Sequence, residues 1–324
     1  MPPREQSGGD MSAAWPKILK EARGPIRADK LEGAAAGMGD WGEATRQLHA
    51  QGLVPPDMLT GLTLFLLSSQ PKDPARPQAI PGGSGGVAGG VWVRERFTIH
   101  QPLRADEPFV VRGASEGCHV HKERRYGTTS SSTFTLDGRQ IADNLTTGLL
   151  SYKPEPGLAD GIEGRSPEDL PAPAPDWRHA AANPSLEALK TLVEGERLGG
   201  YPVHVSLGLM EARDTKRPDN PIHSDPELAK RAGLSKPIAG GSHVLAFALE
   251  PILMRLGSQA LLYGANFDIR WKSPVYADLV MVPSVRVEAC SLDRVVFALE
   301  ALLEEGAVAM QGRVTVPIGA ADPA

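Results

Sequence analysis

Cysteine is nearly missing from this chain: only Cys118 and Cys290 stand among 324 residues. That excludes a disulfide-stapled scaffold. Neither cysteine has neighbours at metal-ligand spacing, and thiols this sparse behave as small apolar side chains in a reducing compartment. Long apolar runs are missing too. The run at 62–67 is far short of the ~20 residues that span a bilayer. The first ten residues are polar and lack an apolar signal core, so a cytoplasmic protein is expected. A net charge of −5 offers no excess of positive charge for nucleic acid. The glycine-rich stretch 82–90 has neither a following helix nor a Lys-Ser/Thr pair, which excludes a phosphate loop. What is present, 41% hydrophobic and 23% charged residues, is the composition of a soluble globular protein. The length suffices for two domains of ordinary size.

A proline cluster divides the chain. Residues 154–177 hold Pro154, Pro156, Pro167, Pro171, Pro173 and Pro175 with little apolar periodicity, which marks a linker. The expected division is therefore 1–153, linker 154–177, and 178–324. The halves echo each other: residues 97–106 align without gaps on 269–278, each ending in Pro-apolar-x-Ala-Asp before a β-rich run. Further strands are expected at 126–136 and 140–152 in the first half, and at 284–289, 295–303 and 308–316 in the second. One apolar helix precedes each set, at 56–69 and 242–256, and 70–90 reads as a long mobile loop. The second helix has almost no polar face, so it must be surrounded. Ser242 is its expected N-cap and Gly257 its stop, with a kink at Pro251. The pattern predicts an α+β fold in which antiparallel strands wrap a central helix.

Two segments carry the chemistry. Asp219-Asn220-Pro221-Ile222-His223 puts an acid, an amide and an imidazole within one turn, ahead of a short helix begun by Asp225-Pro226-Glu227. Pro237-Ile238-Ala239-Gly240-Gly241-Ser242-His243 runs a glycine pair into the apolar helix, leaving backbone N–H groups at a positive helix end. An imidazole facing such an end can move a proton beside a thioester carbonyl while the enolate oxygen is held. Each residue also has a plainer reading. His223 could cap the nearby helix, Asp219 and Asn220 could form only the turn, and His243 could be a partly buried helix residue. His119 and His121 share one strand face with no third ligand evident, which does not make a metal site, and Lys122 to Arg125 read as solvated surface.

The run from Asp219 to Asp225, with Ala229, Gly233, Lys236-Pro237-Ile238, Gly241 and Phe247, resembles the signature of the MaoC-like hydratases and dehydratases. Arg270, Pro274-Val275-Tyr276 and Asp278 are similar to that family's strand after the central helix. The resemblance covers most of the second half. It implies a double hot dog, two antiparallel sheets each wrapped around a central helix, and reversible addition of water across the 2,3-bond of an enoyl thioester. The first half resembles the degenerate hot dog of two-domain members, which leaves room for a bulky acyl chain. His223 and Asp219 would be catalytic, Gly241 would supply the oxyanion site, and Gly240, Asn220, Ser242 and His243 complete the candidate binding set. The expected substrate is an acyl-CoA or acyl-carrier-protein thioester, with no cofactor beyond the coenzyme A or phosphopantetheine it carries. No nucleic-acid or membrane partner is expected, and a homodimer stays open.

Two departures matter. The family's acid stands five residues before its histidine, where this chain has Pro218, and its usual His-Gly is Gly240-Gly241 here. A non-catalytic acyl-thioester binder or subunit, and a hot-dog isomerase or thioesterase, therefore remain as alternatives.

Overall fold

The computed structural model describes residues 15–70, 91–150, 154–214 and 221–319. The first half opens with strands β1 (Lys17–Ile18) and β2 (Ala22–Gly24) and helices α1 (Ala28–Ala36), α2 (Glu43–Ala50), α3 (Pro56–Leu59) and α4 (Leu62–Ser68). Four longer strands follow: β3 (Val91–Ile99), β4 (Phe109–His121), β5 (Arg124–Thr135) and β6 (Gln140–Leu149). The connection carries β7 (Gly161–Gly164), α5 (Leu186–Lys190), β8 (Arg197–Gly199), β9 (Val203–Val205), α6 (Leu207–Asp214) and α7 (Pro226–Arg231). Then come the long helix α8 (Gly241–Leu256) and strands β10 (Ala265–Trp271), β11 (Leu279–Cys290), β12 (Arg294–Leu303) and β13 (Val308–Pro317). No helix among the described residues is long and apolar enough to cross a membrane.

The halves fuse into one sheet. Its order runs β1-β4-β5-β6-β3-β10-β13-β12-β11-β8, and the seam is the antiparallel pair β3–β10, from Ile99 opposite Ala265 to Arg94 opposite Arg270. Alternation puts apolar and charged residues of the seam on opposite faces, with the buried Glu95 as the exception. Inside, Phe97 stacks on Phe267 with ring centroids 4.2 Å apart. Outside, Arg94 donates to both carboxylate oxygens of Asp268, at 2.9 and 2.8 Å. The internal echo is visible in the backbone as well. Asp106 and Asp278, at its matching ends, both take positive φ, 60° and 70°. Their N–H groups donate to Ile26 and Val205 of the preceding segments. This is the double hot dog that the resemblance implied.

Helix α8 is buried nearly all round, as its composition requires. It begins at Gly241 with Gly240 as N-cap, so Ser242 is not the cap. Gly257, at φ 104°, ends it, and it runs as one element through Pro251. Its one buried acid, Glu250, is held up in pKa by burial and accepts from the Ala44 N–H (2.6 Å) and the Thr45 hydroxyl (2.9 Å), capping α2.

The helix expected at 56–69 is broken into α3 and α4 at Thr60-Gly61. The sheet face beneath it is polar, which explains why no continuous apolar helix settles there. Thr63 bonds Ser131 (2.9 Å), and Asn144 donates to Glu95 (2.9 Å) and more weakly to the Leu59 carbonyl (3.4 Å). Burial pushes the Glu95 carboxyl up to about 8, against the hydrogen bond from Asn144. The expected mobile loop lies outside the described residues apart from Gln70, as does the end of the strand expected at 140–152.

Residues 154–177 do not hang free between the halves. Strand β7 pairs with β4, Leu170 is buried, and the carbonyls of Pro167 and Ala174 accept from Arg96 and Thr98 on β3. The strap ends in a clasp. His100 donates from Nδ1 to Asp176 (2.6 Å) and from Nε2 to Asp143 (2.9 Å). Burial alone would lower the pKa of His100, but the two carboxylates overcome it and the net shift is upward. Desolvation would raise both acids, but Asp143 is held below the usual range chiefly by the hydrogen bond from His100, and Asp176 by those from Arg178 first and His100 second. A raised histidine stabilises below its unfolded pKa and loses the effect as pH rises through the folded value. The depressed carboxylates stabilise above theirs and lose it as pH falls. The clasp is thus complete between about pH 4 and about pH 6.5, the unfolded values of the two types. The melting-temperature gap between the parent and His100→Gln should be widest in that window and shrink above it. A gap that does not narrow as pH rises would contradict the clasp.

Candidate active site

His223 closes a single 3₁₀ turn, Pro221–His223, ahead of α7. The turn is anchored on both sides. Asp225 caps α7 by accepting from the Glu227 and Leu228 N–H groups at 2.8 and 3.0 Å, with Pro226 in the first turn. Ile222, Ala229, Leu234 and Ile238 form a small core of their own against Tyr276. The strand-like run before α8 is fixed by Ile238 N–H to Ile222 (3.2 Å) and Ala239 N–H to Val275 (2.8 Å). Against this frame the His223 Nδ1–H donates to the Ile238 carbonyl at 2.6 Å. A carbonyl can only accept, so the neutral ring carries its proton on Nδ1 and its basic lone pair on Nε2.

Nε2 faces the start of α8. A Cβ placed on Gly240 would lie 3.7 Å from His223 Nε2 and 3.9 Å from the Ser242 hydroxyl oxygen. The imidazole, the hydroxyl and the first turn of a sixteen-residue helix therefore converge on the space over Gly240. In that first turn the His243 N–H already donates to the Gly240 carbonyl (2.9 Å), which leaves the N–H groups of Gly241 and Ser242 without an intrahelical acceptor at a positive helix end. The arrangement can take a proton at Nε2 while negative charge on an adjacent oxygen is held by backbone donors.

Gly241 is glycine for another reason. A Cβ there would come within 2.9 Å of Trp92 and 3.1 Å of Trp271. These indoles pack 5.5 Å apart across the seam, and Trp271 Nε1 donates to the Gly241 carbonyl at 3.1 Å. His243 points into the core instead of the reaction space. It is buried, stacks on Phe247 and donates from Nε2 to the Gly37 carbonyl at 2.8 Å. Burial pushes its pKa well down, so it is a neutral anchor for α1. Asp219, Asn220 and Pro218 lie outside the described residues. His119 stacks on Tyr126, and among the described residues no group of three or more His, Cys, Asp or Glu converges on a metal position.

Beyond Ser242 lies a slot of about 30 Å³ lined by Lys30, Ala34, Met58, Gly61, Trp92 and Arg213. That is far less room than the bulky acyl chain implied by the resemblance would need. A larger cavity, about 550 Å³, opens at Gln51, Arg104, Arg139 and Tyr263, and none of the residues gathered around His223 lines it. Trp92, Trp271 and Arg213 were not singled out in the sequence, because each meets the site only through long-range packing.

Residues 219–295 match the model of the MaoC like domain. Several solved structures share the fold of the whole chain. One described as a MaoC-like dehydratase is 14% identical, with a TM-score of 0.66 over 92% of this chain and 96% of that one. A conserved hypothetical protein of Mycobacterium tuberculosis, described as a double hot dog, is 16% identical, with a TM-score of 0.60 over 94% of this chain and 96% of that one. The peroxisomal multifunctional enzyme type 2 of Drosophila melanogaster is also 16% identical, with a TM-score of 0.60 over 93% of this chain but 48% of its own length. No curated protein matches the sequence. With the site assembled at the start of α8 and inside the matched segment, the chain has the double hot-dog fold, and residues 219–295 of its second half are similar to the MaoC-like domain.

Proposed function

We propose that the protein is a hydro-lyase that adds or removes water across the 2,3-bond of a short acyl thioester carried by coenzyme A or a carrier protein. The observation that carries this reading is the Nδ1-locked His223, whose Nε2 faces the N-terminal turn of α8 over Gly240. In dehydration a base removes the proton at C2, charge builds on the thioester oxygen, and the hydroxyl at C3 leaves as water with a proton from an acid. His223 and the carboxyl of Asp219 share the base and acid roles around that one water. The first-turn N–H groups of α8 hold the thioester oxygen, and Ser242 offers a hydroxyl beside them. On this reading 178–324 is the active half. The half 1–153 is degenerate and contributes walls to the acyl site, Met58 and Trp92 among them.

Solvent labelling tests the reaction. In water labelled with oxygen-18, trans-2-butenoyl-CoA should yield the 3-hydroxy product carrying label at C3. Shift of the double bond without label, or release of free thiol, would replace hydration with isomerisation or thioester hydrolysis. Asp219→Asn should cost ~10²–10⁴-fold and alter the acidic limb of the rate profile. An Asn variant of parental activity would remove Asp219 from the chemistry.

Pro218, at the position of the family's acid, supports a second reading, that of a non-catalytic acyl-thioester binder. Pro218→Asp decides between the two. Hydration gained over a silent parent would identify the natural protein as the binder.

A further inference from the structure

Two buried donors surround the slot beside Ser242, and neither has an acceptor among the described residues. One is Nη1 of Arg213, the other Nε1 of Trp92. Buried polar groups are nearly always satisfied, so two orphaned donors on one small cavity call for an acceptor that arrives from outside. Arg213 is held firmly enough to act as a receptor. Its side chain is only 6% exposed, its Nη2 pairs with the equally buried Asp57, and Gly33 of α1 and Gly37 at its C-cap leave room for its backbone and Cβ.

The lining narrows the class of ligand. Arg213 and Lys30 bring two cationic side chains, Ser242 a hydroxyl and Trp92 an indole N–H, while no carboxylate lines the cavity. At about 30 Å³ the space takes one or two oxygen atoms but not a phosphate group. Ser242 belongs both to this slot and to the space over Gly240, so the two adjoin. Met58, Ala34 and Gly61 make up the rest of its lining.

We propose that the slot formed by Arg213, Trp92, Lys30 and Ser242 receives a carboxylate oxygen of the acyl group, so that the substrate is a short acyl thioester ending in a carboxylate. This rests on the acyl-thioester reading of the His223 site.

Calorimetric titration of the full chain with freshly prepared saturated matched pairs tests it: butanoyl-CoA against succinyl-CoA, and hexanoyl-CoA against adipyl-CoA. In one pair the carboxylated member should bind about 10- to 100-fold more tightly, the range for hydrogen bonds to charged groups. Trp92→Phe keeps the packing on Gly241 but removes the N–H, and Arg213→Lys keeps a counter-charge for Asp57 but removes the second guanidinium nitrogen. In each the ratio should fall toward one, with folding checked by circular dichroism. Equal binding within both pairs, no binding of any of the four, or a ratio unmoved by both variants would overturn the proposal and leave the slot to a bound water. Hydration of trans-2-butenoyl-CoA by the same preparation reports on the underlying reading separately. Preference without hydration sinks only the reaction, and hydration without preference sinks only the slot.

Discussion

His223→Asn is expected to leave a folded protein that no longer hydrates an enoyl thioester at a useful rate. The asparagine amide can take the place of Nδ1 and keep donating to the Ile238 carbonyl, so the turn and its small core should survive. What disappears is the basic nitrogen over Gly240. Groups that transfer protons in the transition state contribute ~10²–10⁴-fold, and most of that should be lost. His223→Ala should be at least as inactive and also less stable, because the Ile238 carbonyl loses its partner. Turnover of trans-2-butenoyl-CoA together with thermal melts of both variants checks the claim. Parental turnover in the Asn variant would mean that His223 only holds the turn.

The second large effect separates the two glycines. Valine at 240 should leave the fold intact while lowering turnover ~10²–10³-fold, as when the substrate oxygen is displaced from one of its donors. A Cβ there meets nothing closer than 3.7 Å, but its methyl groups would enter the space between His223 and Ser242. At 241 the order of effects reverses. Even alanine would press on Trp92 and Trp271, and Trp271 cannot retreat without losing its bond to the Gly241 carbonyl. Overpacking of this kind costs ~1–3 kcal/mol, so a clear drop in melting temperature should accompany any loss of rate. A Gly240→Val protein that melts well below the parent, or a Gly241→Ala protein as stable as the parent, would show that these assignments are reversed.

The contrast between the glycines marks where the sequence could be read and where it could not. Local pattern sufficed for α8, whose apolar residues leave almost no solvent face, and for β10 to β13, whose alternation and Gly306 turn stand in order. His223 was legible because its turn and the run into α8 are each contiguous. The place of Gly241 in the motif pointed to its N–H as an oxyanion donor, but not to the packing that also requires glycine there. Its contact with Trp92 joins positions 149 residues apart, which no local pattern displays. The same holds for the Arg213 pair with Asp57 and for the His100 clasp, both set by tertiary contact. The proline-rich strap misled in a specific way. Proline removes donors but not acceptors, and it is the carbonyls of Pro167 and Ala174 that tie the strap to β3.

The β3–β10 ladder limits how this molecule can move. Two halves hinged by a linker could open and shut around a substrate, but these halves share six consecutive strand pairings, a stacked phenylalanine pair and a bidentate ion pair. Rotating one half against the other would break all of them together. Opening of one half against the other is therefore not a route into the space over Gly240. A ligand seated between Trp92 of one half and Arg213 of the other should then raise a single unfolding transition of the whole chain, not that of one half.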